Sequence, residues 1–203
     1  MKTLILGGFL GAGKTSLLLQ FAYYITGHTA DSPGYKAVIL ENEVGEEGID
    51  DKLLRGNGYK VENLFSGCAC CTLSGELLTA VHNIQEEMQP DWLILETTGL
   101  AYPYLIQKNL ADSMGLSSRI CVVADASRWG RLLTPLYQLI SGQLTNADTV
   151  LINKTDLVSS DTLKTIEQQI LDINAELKIF QTSANLPVSH YIWDYVLGGE
   201  ANA

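Results

Sequence analysis

Gly8-Phe-Leu-Gly-Ala-Gly13-Lys14-Thr15 places a lysine and a hydroxyl directly after a glycine-rich run, the G-x-x-x-x-G-K-[ST] pattern of a phosphate cradle. Glycines let successive backbone N–H groups of Gly8, Gly11, Ala12 and Gly13 converge on an anion. Lys14 neutralises β- and γ-phosphate oxygens, Thr15 offers its hydroxyl to Mg²⁺, and Ser16 extends the helix N-terminus that faces the phosphates. The residue five positions before Lys14 is Phe9, which sets the chain apart from ATPases that carry a second lysine there.

A second constellation, Asn153-Lys154-Thr155-Asp156, has the N-K-x-D form that reads guanine. The Asp156 carboxylate accepts from both N1–H and the 2-amino group, donors that adenine lacks in that geometry. Leaving the carboxylate without them is worth discrimination on the order of 10⁴-fold. Ser183-Ala184, after the next strand, is placed to touch the base from its other side.

A third group is acidic. Trp92-Leu-Ile-Leu-Glu96-Thr-Thr-Gly99 is an apolar strand ending in a carboxylate and a glycine, so Glu96 is expected in the Mg²⁺ shell and the Gly99 N–H at a γ-phosphate. Glu41 to Asp50 packs five carboxylates into ten residues, and Glu43 is the candidate for ordering an attacking water. With Lys14 and Glu96 it completes the expected catalytic set. No residue stands out as an arginine finger or catalytic glutamine, so hydrolysis without a partner is expected to be slow.

Cys68-Ala-Cys70-Cys71 gathers three of the four cysteines within four residues. Thiolates are soft ligands suited to Zn²⁺, Co²⁺ or Cu⁺, and a vicinal disulfide would be strained. Three thiolates do not close a tetrahedral site, so a further ligand must come from elsewhere.

The elements that must carry these groups follow from hydropathy patterning. Strands are expected at Lys2 to Leu6, Ala37 to Glu41, Lys60 to Phe65, Trp92 to Glu96, Arg119 to Ala124, Thr149 to Ile152 and Leu177 to Gln181, mostly as continuous apolar runs. Helices are expected over Lys14 to Tyr24, after Ser74 (Leu77, Leu78, Val81, Ile84 and Met88 on one face) and after Ser160 (Leu163, Ile166, Ile170 and Ile173). Alternation of this kind gives an α/β protein, a three-layer P-loop NTPase fold whose mostly parallel central sheet is flanked by helices. With 203 residues, 46% of them hydrophobic, the chain is expected to form a single nucleotide-binding domain over 1–203. Its formal net charge of -10 argues against nucleic acid. No apolar run approaches the roughly 18 residues of a membrane span, so a cytoplasmic protein is expected.

Taken in order, Gly8 to Thr15, Asn42-Glu-Val-Gly45 with Gly48-Ile-Asp50, Cys68-Ala-Cys-Cys-Thr72, Glu96-Thr-Thr-Gly-Leu-Ala101 with Pro103, and Asn153 to Asp156 resemble the CobW-like family of metal-handling GTPases. The resemblance implies GTP and GDP as ligands with Mg²⁺, and a transition metal, Zn²⁺ or Co²⁺, held by Cys68, Cys70 and Cys71 with Glu41 and Glu46. It implies a client metalloenzyme or corrinoid protein as partner, with a nucleotide- or metal-dependent homodimer as a further option. A GTPase that reloads a corrinoid enzyme without carrying metal is the alternative. Three departures stand out: Val44 replaces the family's usual Phe, Tyr102 its Asp, and the family's second, C-terminal domain is not expected here.

Overall fold

The structure, a computed structural model, describes residues 1–28, 33–41, 60–63 and 75–199, with the backbone alone for 41 and 60–63. The expectations placed on Asn42 to Asp50, Ser74 and Cys68 to Cys71 lie outside the described residues.

Among these residues the chain runs through strand β1 (Lys2–Gly7), helix α1 (Lys14–Ile25), β2 (Ala37–Glu41), β3 (Lys60–Asn63), α2 (Gly75–Asn83), β4 (Trp92–Glu96), α3 (Pro103–Met114) and β5 (Ser118–Asp125). It continues with α4 (Trp129–Leu133), α5 (Tyr137–Leu144), β6 (Thr149–Asn153), α6 (Ser160–Ile173), β7 (Lys178–Gln181) and α7 (His190–Val196). The strands form one seven-stranded sheet in the order β3-β2-β4-β1-β5-β6-β7. Every pair among the described strands is parallel, in agreement with the expected α/β fold and its parallel central sheet. The helices described between β1 and β2, between β3 and β4, and in each later connection return the chain to the same end of the sheet.

Alternate residues of β1, β4, β5 and β6 feed two cores. Ile5, Leu93, Leu95, Val122, Val150 and Ile152 face α2, α3, α5 and α6, while Leu4, Leu6, Ile94, Val123 and Leu151 face α1 and α7. Period-two alternation on a two-sided sheet makes a strand apolar throughout, the pattern legible in Trp92 to Leu95.

Helix α2 buries Leu77 and Val81 as expected, but its last turn widens into a π turn over Ile84–Met88, closed by Gln89 at φ 47. The wider turn keeps Ile84 buried. Helix α6 starts from Ser159, whose hydroxyl accepts from the Thr162 N–H at 3.2 Å, and buries Leu163, Ile166 and Ile170.

Four helices were not among those expected: α3, α4, α5 and α7. In α3 the stripe Pro103, Ile106, Leu110 has helical spacing, with proline in the first turn. Parallel packing brings the C-terminal strand ends, and thus every motif that follows a strand, to one edge of the sheet.

Two substitutions calibrate the packing. Leu93, 0% exposed on the central β4, should lose about 2–5 kcal/mol as Leu93→Ala. Ser159→Ala should lose about 1 kcal/mol with the helix cap. Urea unfolding of both variants checks the contrast; equal losses would contradict it.

Candidate functional site: a phosphate cradle and a base-reading loop

From Gly7 the chain turns and enters α1 at Lys14 with Gly13 as the cap, at φ 94 and ψ 25. That left-handed conformation favours glycine, and a β-carbon there would run into the Asn153 amide nitrogen. The first turn of α1 holds no acidic residue, so the positive end of its dipole faces the loop uncompensated. Lys14 is buried at 4% exposure, and Ser16 is exposed in the same turn.

The Thr15 hydroxyl donates to Glu96 Oε1 at 2.9 Å, so the two residues expected around Mg²⁺ meet across 81 positions of sequence. Gly99 lies against the cradle: a β-carbon there would sit 2.5 Å from the Leu10 nitrogen. Gln143 of α5, 4% exposed, donates to the carbonyls of Gly99 at 3.1 Å and Ala101 at 2.9 Å and so holds this segment from behind. Tyr102 packs on α5 where Gly142 leaves no β-carbon.

At the end of β6, Asn153 is 1% exposed and faces the cradle. Its Nδ2 donates to the Ala12 carbonyl at 2.8 Å, and its Oδ1 accepts from the Ala184 N–H at 2.9 Å. Lys154, held at φ 63, donates to the Gly11 carbonyl at 2.7 Å. These two residues thus tie the cradle to the loop that carries Asp156 and to the Ala184 backbone.

Asp156 accepts from the Ser183 hydroxyl at 2.7 Å, and that bond holds its carboxyl below the ordinary aspartate value. Ser183 and Ala184 are therefore brought to the same site as Asn153 and Asp156. Gln20 of α1 fixes the loop beyond them: its amide donates to the carbonyls of Ala184 at 2.9 Å and Leu186 at 3.2 Å and accepts from the Val188 N–H at 2.9 Å.

Sequence reasoning missed Asp125, at the end of β5 and 4% exposed. It accepts from the Ser127 N–H at 3.0 Å, the Ser127 hydroxyl at 2.6 Å, Arg128 Nε at 2.6 Å and Lys154 Nζ at 2.8 Å. Burial pushes its carboxyl up, but the bonds from Lys154, Ser127 and Arg128 outweigh burial and hold it below 3.8. The signal was present: Ile-Cys-Val-Val-Ala-Asp125 is an apolar strand closed by a charge at the sheet edge where ligand loops gather.

Of the candidate transition-metal ligands, Glu46, Cys68, Cys70 and Cys71 lie outside the described residues, as does Glu43, the candidate for ordering an attacking water. Glu41 ends β2, and its backbone is in register with Glu96 on one side and Asn63 on the other. Among the described residues no group of three or more His, Cys, Asp or Glu is placed to hold a metal. Cys121 is buried, its thiol pushed up to about 12 by desolvation first and by Asp148 second, so it is no thiolate ligand. Nor is any described helix long and apolar enough to cross a membrane.

Comparison with known proteins agrees with this geometry. The profile of the family described as "CobW/HypB/UreG, nucleotide-binding domain" matches residues 2–181. The chain is 30% identical over 221 aligned residues to zinc-regulated GTPase metalloprotein activator 1 of Dictyostelium discoideum, covering 88% of this chain and 45% of that protein. Among solved structures it is similar to the Zn(II)-bound YjiA GTPase of E. coli (TM-score 0.63, 26% identity, 89% of this chain and 57% of that one). The hydrogenase maturation factor HypB of Archaeoglobus fulgidus shares the fold at TM-score 0.68 and 18% identity, over 98% of this chain and 89% of that one. The chain spans about half the length of the curated relatives it matches.

Asp125 yields a pH prediction. A carboxyl held below 3.8 in the folded state contributes stability that is fully present above 3.8 and is lost as pH falls through the lowered value. Asp125→Asn should therefore be less stable near neutral pH, and its stability should decline less on the acid side. Urea unfolding across that range tests this; parallel curves for the two proteins would refute it.

Proposed function

The chain belongs to the CobW/HypB/UreG nucleotide-binding domain family, and from that premise we propose that it binds and slowly hydrolyses GTP, and that nucleotide state governs the binding and delivery of a transition metal. Zn²⁺ is favoured over Co²⁺ as the cargo, because the relatives it resembles are named for zinc. Its recipient is a client metalloenzyme or a cobalamin pathway, and a nucleotide- or metal-dependent homodimer fits the same scheme.

One observation carries the coupling. Glu41 and Glu96 are register partners on adjacent strands, and Asn63 is the partner of Glu41 on the far side. The end of β2 at Glu41 therefore lies beside the Mg²⁺-side carboxylate, two residues before Glu43 in the sequence. The end of β3 at Asn63 lies one strand further out, five residues before Cys68 in the sequence.

In this reading the N–H groups of Gly8 to Thr15 bind the β-phosphate, Lys14 spans the β and γ oxygens, and Gly99 senses the terminal phosphate. The Thr15 and Glu96 oxygens fit Mg²⁺, which is hard and takes oxygen ligands: Thr15 would ligate directly and Glu96 would order a bound water. When bound, Mg²⁺ supplies charge neutralisation at the transferred phosphoryl oxygens. Glu43 orders the attacking water. Asp156, kept charged by Ser183, selects guanine. Cys68, Cys70 and Cys71, with Glu41 and Glu46, hold the cargo, since thiolates together with carboxylates favour Zn²⁺ over Mg²⁺. GTP and metal then alter each other's affinity by the same factor.

Two measurements test the reading. Asp156→Asn replaces an acceptor by an amide that also donates, so GTP affinity should fall by roughly 100-fold or more while xanthosine triphosphate, with a 2-oxo group, gains. Unchanged GTP affinity would remove Asp156 from base reading. Zn²⁺ affinity, measured by chelator competition, should change several-fold with GTP in the wild type and collapse in a Cys70→Ser, Cys71→Ser double variant. The same affinity in both proteins would overturn the cargo site.

A further inference from the structure

Three consecutive carbonyls of the cradle each accept a hydrogen bond from a different side chain. Leu10 is held by Arg128 Nη2 at 2.6 Å, Gly11 by Lys154 Nζ at 2.7 Å, and Ala12 by Asn153 Nδ2 at 2.8 Å. Asn153 and Lys154 belong to the base-reading segment. Arg128 belongs to no motif in the sequence.

Its placement is nevertheless built. Arg128 follows β5 on a turn closed by Asp125, whose Oδ2 accepts both Arg128 Nε at 2.6 Å and Lys154 Nζ at 2.8 Å. The Asp125 side chain is 1% exposed, so two cations are fixed on one buried carboxylate, and each reaches on to the next carbonyl of the same loop. The guanidinium also lies over the Phe9 ring, 6.0 Å from its centroid.

A planar trans peptide points its C=O and N–H in opposite directions. A Leu10 carbonyl held outward by Arg128 therefore turns the Gly11 N–H inward, toward the anion. Gly11 sits at φ 72 and, as a glycine, offers little steric resistance to a flip of that peptide. A flipped peptide would present a carbonyl to the phosphates. The Leu10 end of the loop lies against Gly99, whereas Ala12 and Gly13 lie against Asn153. The peptide that Arg128 controls is thus at the Gly99 side of the cradle, where the terminal phosphate is read.

We propose that Arg128, fixed by Asp125, is a positioning residue that locks the Leu10–Gly11 peptide and so sets the preference of the cradle for a nucleoside triphosphate over a diphosphate. It acts through the backbone, because its guanidinium is engaged by Asp125 Oδ2 and the Leu10 carbonyl. The inference rests on the phosphate-cradle reading above.

The test is nucleotide affinity of the full chain with Mg²⁺, using a non-hydrolysable GTP analogue and GDP as probes, for the wild type, Arg128→Ala and Arg128→Lys. Arg128→Ala should bind the triphosphate about tenfold more weakly and GDP less than about threefold more weakly, the scale of one hydrogen bond lost near a charged ligand. In turnover, the KM for GTP should rise while kcat changes little. Arg128→Lys keeps the charge but lacks the rigid two-donor fork that spans Asp125 and Leu10, so it should restore part of the preference; it also carries the test if the alanine variant does not fold. Equal losses for both nucleotides, or no loss, would overturn the positioning role while leaving the cradle intact. A wild type that binds neither nucleotide would remove the cradle and this inference together.

Discussion

A loop that turns its N–H groups toward an anion must give its carbonyls to something else. Solvent can meet that need, but here side chains take it over. Here Arg128, Lys154 and Asn153 serve Leu10, Gly11 and Ala12 in sequence. Much of the site follows from this arrangement. It brings β5 and β6 against the loop after β1, it calls for Asp125 beneath two cations, and it converts the first half of a guanine signature into support for the phosphates.

The sheet makes the arrangement reachable. With all seven strands parallel, each C-terminal strand end lies on the same edge, and β1 stands between β4 and β5. Glu96 and Asp125 therefore flank the cradle from opposite sides, one bound by Thr15 and the other by Lys154 and Arg128. Gln143 and Tyr102 join the Glu96 side to α5, so the segment around Gly99 rests on a helix that takes no part in the phosphate loop. Nothing in this scheme needs a deep cavity; it needs strand ends in the right order.

Much of this was legible in the sequence, for a physical reason. Strands buried on both faces announce themselves as unbroken apolar runs, and β2 and β4 were read to the residue. The cradle and Asn153 to Asp156 were legible because their chemistry constrains spacing along the chain. What escaped depends on contacts between distant segments. Arg128, held by Asp125, meets Leu10 across 118 positions, and Gln20 reaches Val188 across 168. A lone glutamine on a helix carries no local sign of such a bond. Short helices such as α4, with only Trp129 buried, escaped because too few turns exist to establish a period. The π turn at Ile84–Met88 escaped because it preserves the apolar stripe that a regular helix would show.

Gln20 gives helix α1 a second duty. Six residues after Lys14, about 9 Å further along the helix axis at the usual rise, it grips the loop that carries Ser183 and Ala184. One rigid rod thus bears the phosphate end at its tip and the base loop on its flank. The distance between them is set by covalent geometry, not by the ligand. Helix α1 works as a caliper, fixing the span between the cradle and the loop of Ser183 and Ala184.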